Sequence, residues 1–252
     1  MKSLVPPAKL RIQVAEDYED LSRQAAELIL KEMRKQPGLL LCASAGGTPT
    51  RTYGLLAAKC AQQPQWFKKL RVLQIDEWGG LAPDNPATCQ TDLCLKLLQP
   101  LQVIPKRYVG FRSDAPDPPG ECQRIAQWLA VNGPIGVCIL GLGTNGHVAM
   151  NEPADALNPH PHVAKLAKSS QYHPMLKDLR RKPRYGLTLG IGDILRSRKI
   201  LLLVNGAHKR AALERVLEPR VTTRFPASFL WLHPDATVLC DRSAAPAPRT
   251  FA

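Results

Sequence analysis

The sequence predicts an α/β fold: a doubly wound, mainly parallel central sheet with helices on both faces and an irregular lid segment. Short apolar runs at residues 39–43, 70–75, 137–140, 200–204 and 238–240 read as buried strands. Helical periodicity separates them, at 17–35, 50–62, 88–98, 121–131 and from Asn205 to Leu217. Several strand ends open into turns rich in glycine or carrying an acid, a histidine or a lysine, where sheets of this kind place their sites. Alternating strands and helices of these lengths favour parallel pairing.

Residues 17–35 alternate apolar and charged side chains at helical spacing, with Gly38 closing the helix. The strand at 39–43 leads into Ser44-Ala45-Gly46-Gly47-Thr48-Pro49 and a helix from Thr50. A strand, glycine turn and helix aim free backbone N–H groups at an anion, and the Ser44 and Thr48 hydroxyls add donors. The same pattern also fits an ordinary turn with Thr48 as N-cap. The next strand ends in Asp76-Glu77-Trp78, and since neighbouring strand residues point to opposite sides, one carboxylate is expected to face a pocket. The apolar stretch from Val137 breaks at Gly141, Gly143 and Gly146, then runs through His147 to Asn151, Glu152 and Pro153. The G-x-G-x-x-G spacing alone suggests a dinucleotide, but Pro153 comes too soon and no acid stands about twenty residues on. An acid/base turn fits better.

Residues 153–183 hold five prolines and three histidines with little periodicity, so 153–185 is expected to form a lid or binding loop. His160, His162 and His173 have no carboxylate or cysteine in ligand spacing, so no metal site is expected. A strand from Gly186 gives way to a helical turn from Asp193, and Gly206-Ala207-His208-Lys209 forms another strand–turn–helix junction. There Lys209 can meet an anion and His208 reads as a cap. No repeat is visible.

Composition narrows the function classes. With 252 residues, 44% of them hydrophobic, one domain over 1–252 is expected, with a fraying tail at 243–252. No run reaches membrane-spanning length and no signal core follows Met1, so neither a membrane nor export is expected. Seven scattered cysteines without a C-x-x-C pair read as reduced thiols in a cytoplasm. The net charge of +13 is dispersed and no aromatic residues interleave with it, which argues against nucleic acid and for steering of a small phosphorylated substrate.

Together these motifs resemble the glucosamine-6-phosphate/galactosamine-6-phosphate isomerase (deaminase) family, to which 6-phosphogluconolactonases are related. The resemblance covers about residues 40–241. It rests on Gly46 to Pro49, Asp76-Glu77-Trp78, Leu140 to Gly143, Gly146-His147, Asn151-Glu152-Pro153, Leu187 to Gly190, Gly206 to Lys209 and Pro226-Ala227-Ser228. Trp78, Thr88-Cys89, Asn145 and the stretch from Phe225 to His233 look closest to the galactosamine-6-phosphate branch. The resemblance implies isomerisation and deamination of a phosphorylated amino sugar, without cofactor or metal, and leaves a homo-oligomer open. It implies Asp76 as the proton shuttle between carbons, His147 as the ring-opening group tuned by Glu152, and the 44–48 turn with Lys209 as phosphate anchor. Asn145 stands where the glucosamine enzymes have an Asp, and is expected to accept from the imidazole N–H without charge stabilisation. The family's lid arginine is missing near Gln171, with Lys168 or His173 as expected substitutes.

Overall fold

The computed structural model describes residues 10–246. Ten strands lie among the described residues: β1 (Arg11–Ala15), β2 (Leu40–Ala43), β3 (Arg71–Gln74), β4 (Asp76–Trp78), β5 (Tyr108–Val109), β6 (Val137–Gly141), β7 (His162–Lys165), β8 (Tyr185–Thr188), β9 (Lys199–Val204) and β10 (Ala236–Asp241). The helices are α1 (Tyr18–Lys35), α2 (Thr50–Gln62), α3 (Cys89–Leu93), α4 (Pro118–Asn132), α5 (Ile191–Leu195) and α6 (Arg210–Val216). Seven strands form one wholly parallel sheet in the order β1-β10-β9-β6-β2-β3-β5.

Both faces of this sheet are covered, which is why its central strands are apolar throughout rather than alternating. Leu41, Ala43, Val137, Ile139, Leu201 and Leu203 face α1, α2 and α3. Their neighbours Leu40, Cys42, Cys138, Leu140, Ile200 and Leu202 face α4, α5 and α6. Cys42 and Cys138 are thus buried packing groups, paired across β2 and β6. Truncating one of these leucines to alanine is worth about 2–5 kcal/mol of stability. Helix ends follow from local chemistry. Asp17 accepts from the Asp20 N–H to start α1, with acids in its first turn and Arg34 and Lys35 in its last. Asp117 caps α4, with Pro118 inside its first turn.

The doubly wound expectation holds, with corrections at the margins. Strands β1, β4, β5 and β7 are short or polar, without the apolar run that marks a buried strand. The Asp76 segment does not simply end the preceding strand: it leaves the large sheet and pairs antiparallel with β8, which pairs with β7. The lid expected at 153–185 therefore contains a strand of a second sheet. Its small apolar centre includes Trp78, Met150, Ala164, Leu166 and Leu176. The helix expected at 88–98 is α-helical only to Leu93, and Cys94–Leu98 forms a π-turn. Part of the expected fraying tail is held: Ala244 is buried, with its N–H on Asp241, while 247–252 lie outside the described residues. The expectation about Met1 and export also falls outside them.

Candidate active site

The strand order explains where the site lies. From β2 the chain winds outward through α2 to β3, and from β6 it winds the other way to β9 and β10. The gap beyond the carboxyl ends of β2 and β6 is the switch point of the sheet, where such folds bind ligands. Strands β9, β6, β2 and β3 are consecutive neighbours, so the four sequence motifs at their ends are brought to one edge. A cavity of about 390 Å³ opens there, lined by Asp76, His147, Glu152, Lys209 and the turn at Ser44, Ala45, Gly46, Gly47 and Thr48.

Asp76 stands where the chain crosses from the large sheet to the small one. The Ile75 N–H still bonds to Ala43 of the large sheet, whereas Asp76 pairs with Thr188 of β8. Burial, and then the charge of Glu77, push its carboxyl up to about 7, against an opposing contribution from the Cys89 thiol. Glu77 is neither exposed nor a pocket carboxylate. It is fully buried and accepts from the N–H groups of Trp78, Cys89 and Gln90 and from Gln74 Nε2, at 2.8–2.9 Å. Glu77 thus ties β4 to the first turn of α3, so the neighbour of Asp76 is locked in place.

His147 and Glu152 converge from the turn after β6. Gly143 is required here, because a Cβ at that position would fall within 2.5–2.6 Å of the His147 ring. Glu152 Oε2 lies 3.3 Å from His147 Nδ1, a close approach without the alignment of a well-formed hydrogen bond. The same oxygen accepts from Asn145 Nδ2 at 2.8 Å, and Oε1 accepts from the Ser170 hydroxyl and the Ala167 N–H. Burial favours the protonated acid, but His147, Ser170 and Asn145 outweigh it and hold Glu152 at about 2. The role expected of Asn145 is corrected. Its amide oxygen accepts from the His147 backbone N–H at 3.1 Å, and the imidazole faces Glu152 instead. Two residues of sequence separation suit a backbone turn better than a reach around the ring.

Gly46 has φ +101°, a conformation that favours glycine. Its N–H is already committed to Asp92 Oδ2 at 3.0 Å, so it is not a free anion donor. The Gly47 and Thr48 N–H groups donate to no protein acceptor among the described residues, and the Ser44 hydroxyl is buried without a partner. Thr48 does not cap α2; Pro49 occupies the N-cap position. Lys209 lines the same cavity and makes no ion pair among the described residues, with burial drawing its pKa down. Of the three expected lid contacts, only His173 reaches the cavity. Lys168 is exposed and Gln171 does not line the cavity, while the turn at Ser170–Tyr172 directs Ser170 inward to Glu152. His208 also lines the cavity and caps nothing. Ser170 and Asp92 escaped the sequence reading, since a serine in a loop and an acid in a helix carry no spacing signal.

His160 approaches Asp193, and His162 Nδ1 approaches the His160 carbonyl. No group of three or more His, Cys, Asp or Glu side chains among the described residues is arranged to hold a metal. No helix among them is long and apolar enough to cross a membrane.

The family of glucosamine-6-phosphate isomerases/6-phosphogluconolactonase matches residues 15–239. The chain is 40% identical over 222 residues, 88% of each chain, to a protein of Escherichia coli (strain K12) named "putative deaminase AgaI". It is 32% identical over 241 residues to glucosamine-6-phosphate deaminase 1 of Bacillus subtilis (strain 168), covering 94% of this chain and 98% of that one. A solved monomeric glucosamine-6-phosphate deaminase superposes with a TM-score of 0.87 at 32% identity, over 93% of this chain and 98% of its own. The 6-phosphogluconolactonase of Trypanosoma brucei, at 20% identity and a TM-score of 0.73 over 94% and 98% of the two chains, shares the fold. Sequence match and fold agree along nearly the whole described chain, which belongs to the glucosamine-6-phosphate isomerase/6-phosphogluconolactonase family.

Proposed function

We propose that this protein is an amino-sugar-6-phosphate deaminase, converting galactosamine 6-phosphate to tagatose 6-phosphate and ammonia, with glucosamine 6-phosphate as the alternative substrate. Its relatives named as deaminases support the reaction class. The observation that carries the reading is the meeting of Asp76, the His147–Glu152 pair and the anion cradle in one cavity sized for a single sugar phosphate.

The chemistry follows from these groups. The cradle and Lys209 hold the phosphate, so remote binding energy orients the reacting end. His147, positioned by Glu152, moves a proton from the anomeric hydroxyl to the ring oxygen, which opens the ring. Asp76 takes the C2 proton while the C1 carbonyl oxygen gains one, giving an enolamine; Asp76 then returns its proton to C1 as the nitrogen gives one up, leaving an imine at C2. Water adds to that imine, ammonia leaves, and the ketose remains. Only protons and one water are moved. A carboxyl held at about 7 both accepts and donates a proton near neutral pH, which suits a shuttle between adjacent carbons.

The test is ammonia release from galactosamine 6-phosphate and glucosamine 6-phosphate, side by side, with Asp76→Asn as control. Wild type should release ammonia from at least one, faster from the galacto sugar, and Asp76→Asn from neither. Lactone hydrolysis needs no carbon base. Hydrolysis of 6-phosphogluconolactone that survives Asp76→Asn, with no ammonia from wild type, would overturn the proposal.

A further inference from the structure

His173 stands beside the anion cradle, and the reaction outlined above gives it no task. It ends the Ser170–Tyr172 turn and begins the Pro174–Leu176 turn, where its Nδ1 accepts from the Met175 N–H at 3.3 Å. With Nδ1 occupied as an acceptor, the proton of the neutral ring belongs on Nε2. The ring leans on Trp78, with centroids 5.6 Å apart and planes at 46°. Its other side covers Gly46, whose absent Cβ would stand 3.6 Å from Cε1 and 3.7 Å from Nε2. Nε2 therefore sits against the cradle backbone. It has no protein partner among the described residues and is not sealed by packing, so it opens into the cavity.

The titratable and charged groups around the ring come from three elements: His147 from the turn after β6, Lys209 from the turn before α6, and Asp92 from α3. Burial first, then His147 and Lys209, draw the ring's pKa down and so favour its neutral form, with Asp92 opposing. An imidazolium would also turn Nδ1 into a donor facing the Met175 N–H, breaking the bond that shapes the turn.

We propose that His173 is a phosphate ligand acting as a neutral donor: its Nε2–H bonds to the substrate phosphate beside Lys209, without adding a second positive charge to the cradle. The inference rests on the sugar-phosphate reading of the cavity. It differs from a purely structural role, in which His173 would serve only to accept the Met175 N–H.

Sorbitol 6-phosphate is the probe, because it carries the phosphate but no carbonyl or amine and cannot react. In wild-type protein with ¹⁵N-labelled histidine, His173 should show the Nε2–H tautomer, and saturating sorbitol 6-phosphate should move that Nε2–H signal downfield. His173→Asn keeps an oxygen that can accept the Met175 N–H but is too short to reach the phosphate. Its Kd for sorbitol 6-phosphate should rise by roughly 10-fold or more, the scale of a hydrogen bond to a charged group. In turnover the loss should appear in KM rather than in kcat. An Nδ1–H tautomer, an Nε2–H signal indifferent to sorbitol 6-phosphate, an unchanged Kd, or a loss confined to kcat would each overturn the proposal. The two readings fail separately: wild type that releases no ammonia sinks the deaminase, while the sorbitol 6-phosphate titration still decides His173.

Discussion

Two carboxylates share one cavity and are tuned in opposite directions. Asp76, at the crossing between the two sheets, is half-buried beside the fully buried Glu77, and desolvation and that neighbour push it up to about 7. Glu152, on the turn after β6, is also half-buried, but an imidazole, a hydroxyl and an amide surround it and hold it at about 2. Burial acts on both alike, so the neighbours decide the sign. Environments that push two acids apart separate their tasks: one is poised to exchange a proton near pH 7, and the other stays a fixed negative charge.

Removing the poised acid should have the largest effect. Asp76→Asn should lower kcat by about 10²–10⁴-fold, the range for loss of general acid–base catalysis. The same change should stabilise the fold at high pH. A carboxyl raised in the folded state supports stability below its unfolded value, and that support is lost as pH rises through about 7. Asp76→Asn should therefore raise the melting temperature at pH 8 and leave it nearly unchanged at pH 4, by calorimetry. Equal shifts at both pH values would show that Asp76 is not held above its ordinary range.

Glu152→Gln should fall next, by roughly 10²-fold in kcat, because the imidazole then lacks a fixed partner for its orientation and charge. Its stability effect carries the opposite sign. A carboxyl depressed to about 2 contributes stability above its unfolded value of about 4.5, and this is lost as pH falls through about 2. The variant should be less stable than wild type at pH 7, and the gap should narrow toward pH 2. Melting curves across that range check it.

The sequence exposed some of this tuning and concealed the rest. The large sheet was legible because β2, β6 and β9 carry continuous apolar runs and β3 and β10 shorter apolar cores, and the cavity residues were legible because glycines and acids punctuate the strand ends. Strand β4 was hidden, since Asp76-Glu77-Trp78 has neither alternation nor length and exists only through pairing with β8. That pairing buries Glu77, whose charge helps raise Asp76. Ser170 was hidden for a related reason: its contact with Glu152 joins residues eighteen apart across an irregular lid, where no period connects them. Residue types announced which acids mattered, whereas their opposite tuning came from burial and from contacts that only the folded turns and sheets assemble.

Asn145 offers the finest way to sharpen the contrast, with the smallest expected effect. Its Nδ2 donates to the Glu152 oxygen that also faces His147, while its Oδ1 accepts from the His147 backbone N–H. Asn145→Asp preserves the second contact and reverses the first, placing a carboxylate against a carboxylate at hydrogen-bond distance. Two such groups do not both stay ionised at the low pH that suits one alone, so one proton is held to higher pH and the pair titrates as a unit. The acid limb of the kcat/KM profile should then move upward, with a loss at pH 7.5 of less than about 10-fold. Asn145→Ala, which removes the donor without adding charge, should move the limb less. If the Asn145→Asp and wild-type profiles superimpose, Asn145 has no part in keeping Glu152 ionised, and the low value at Glu152 then rests on His147 and Ser170 alone.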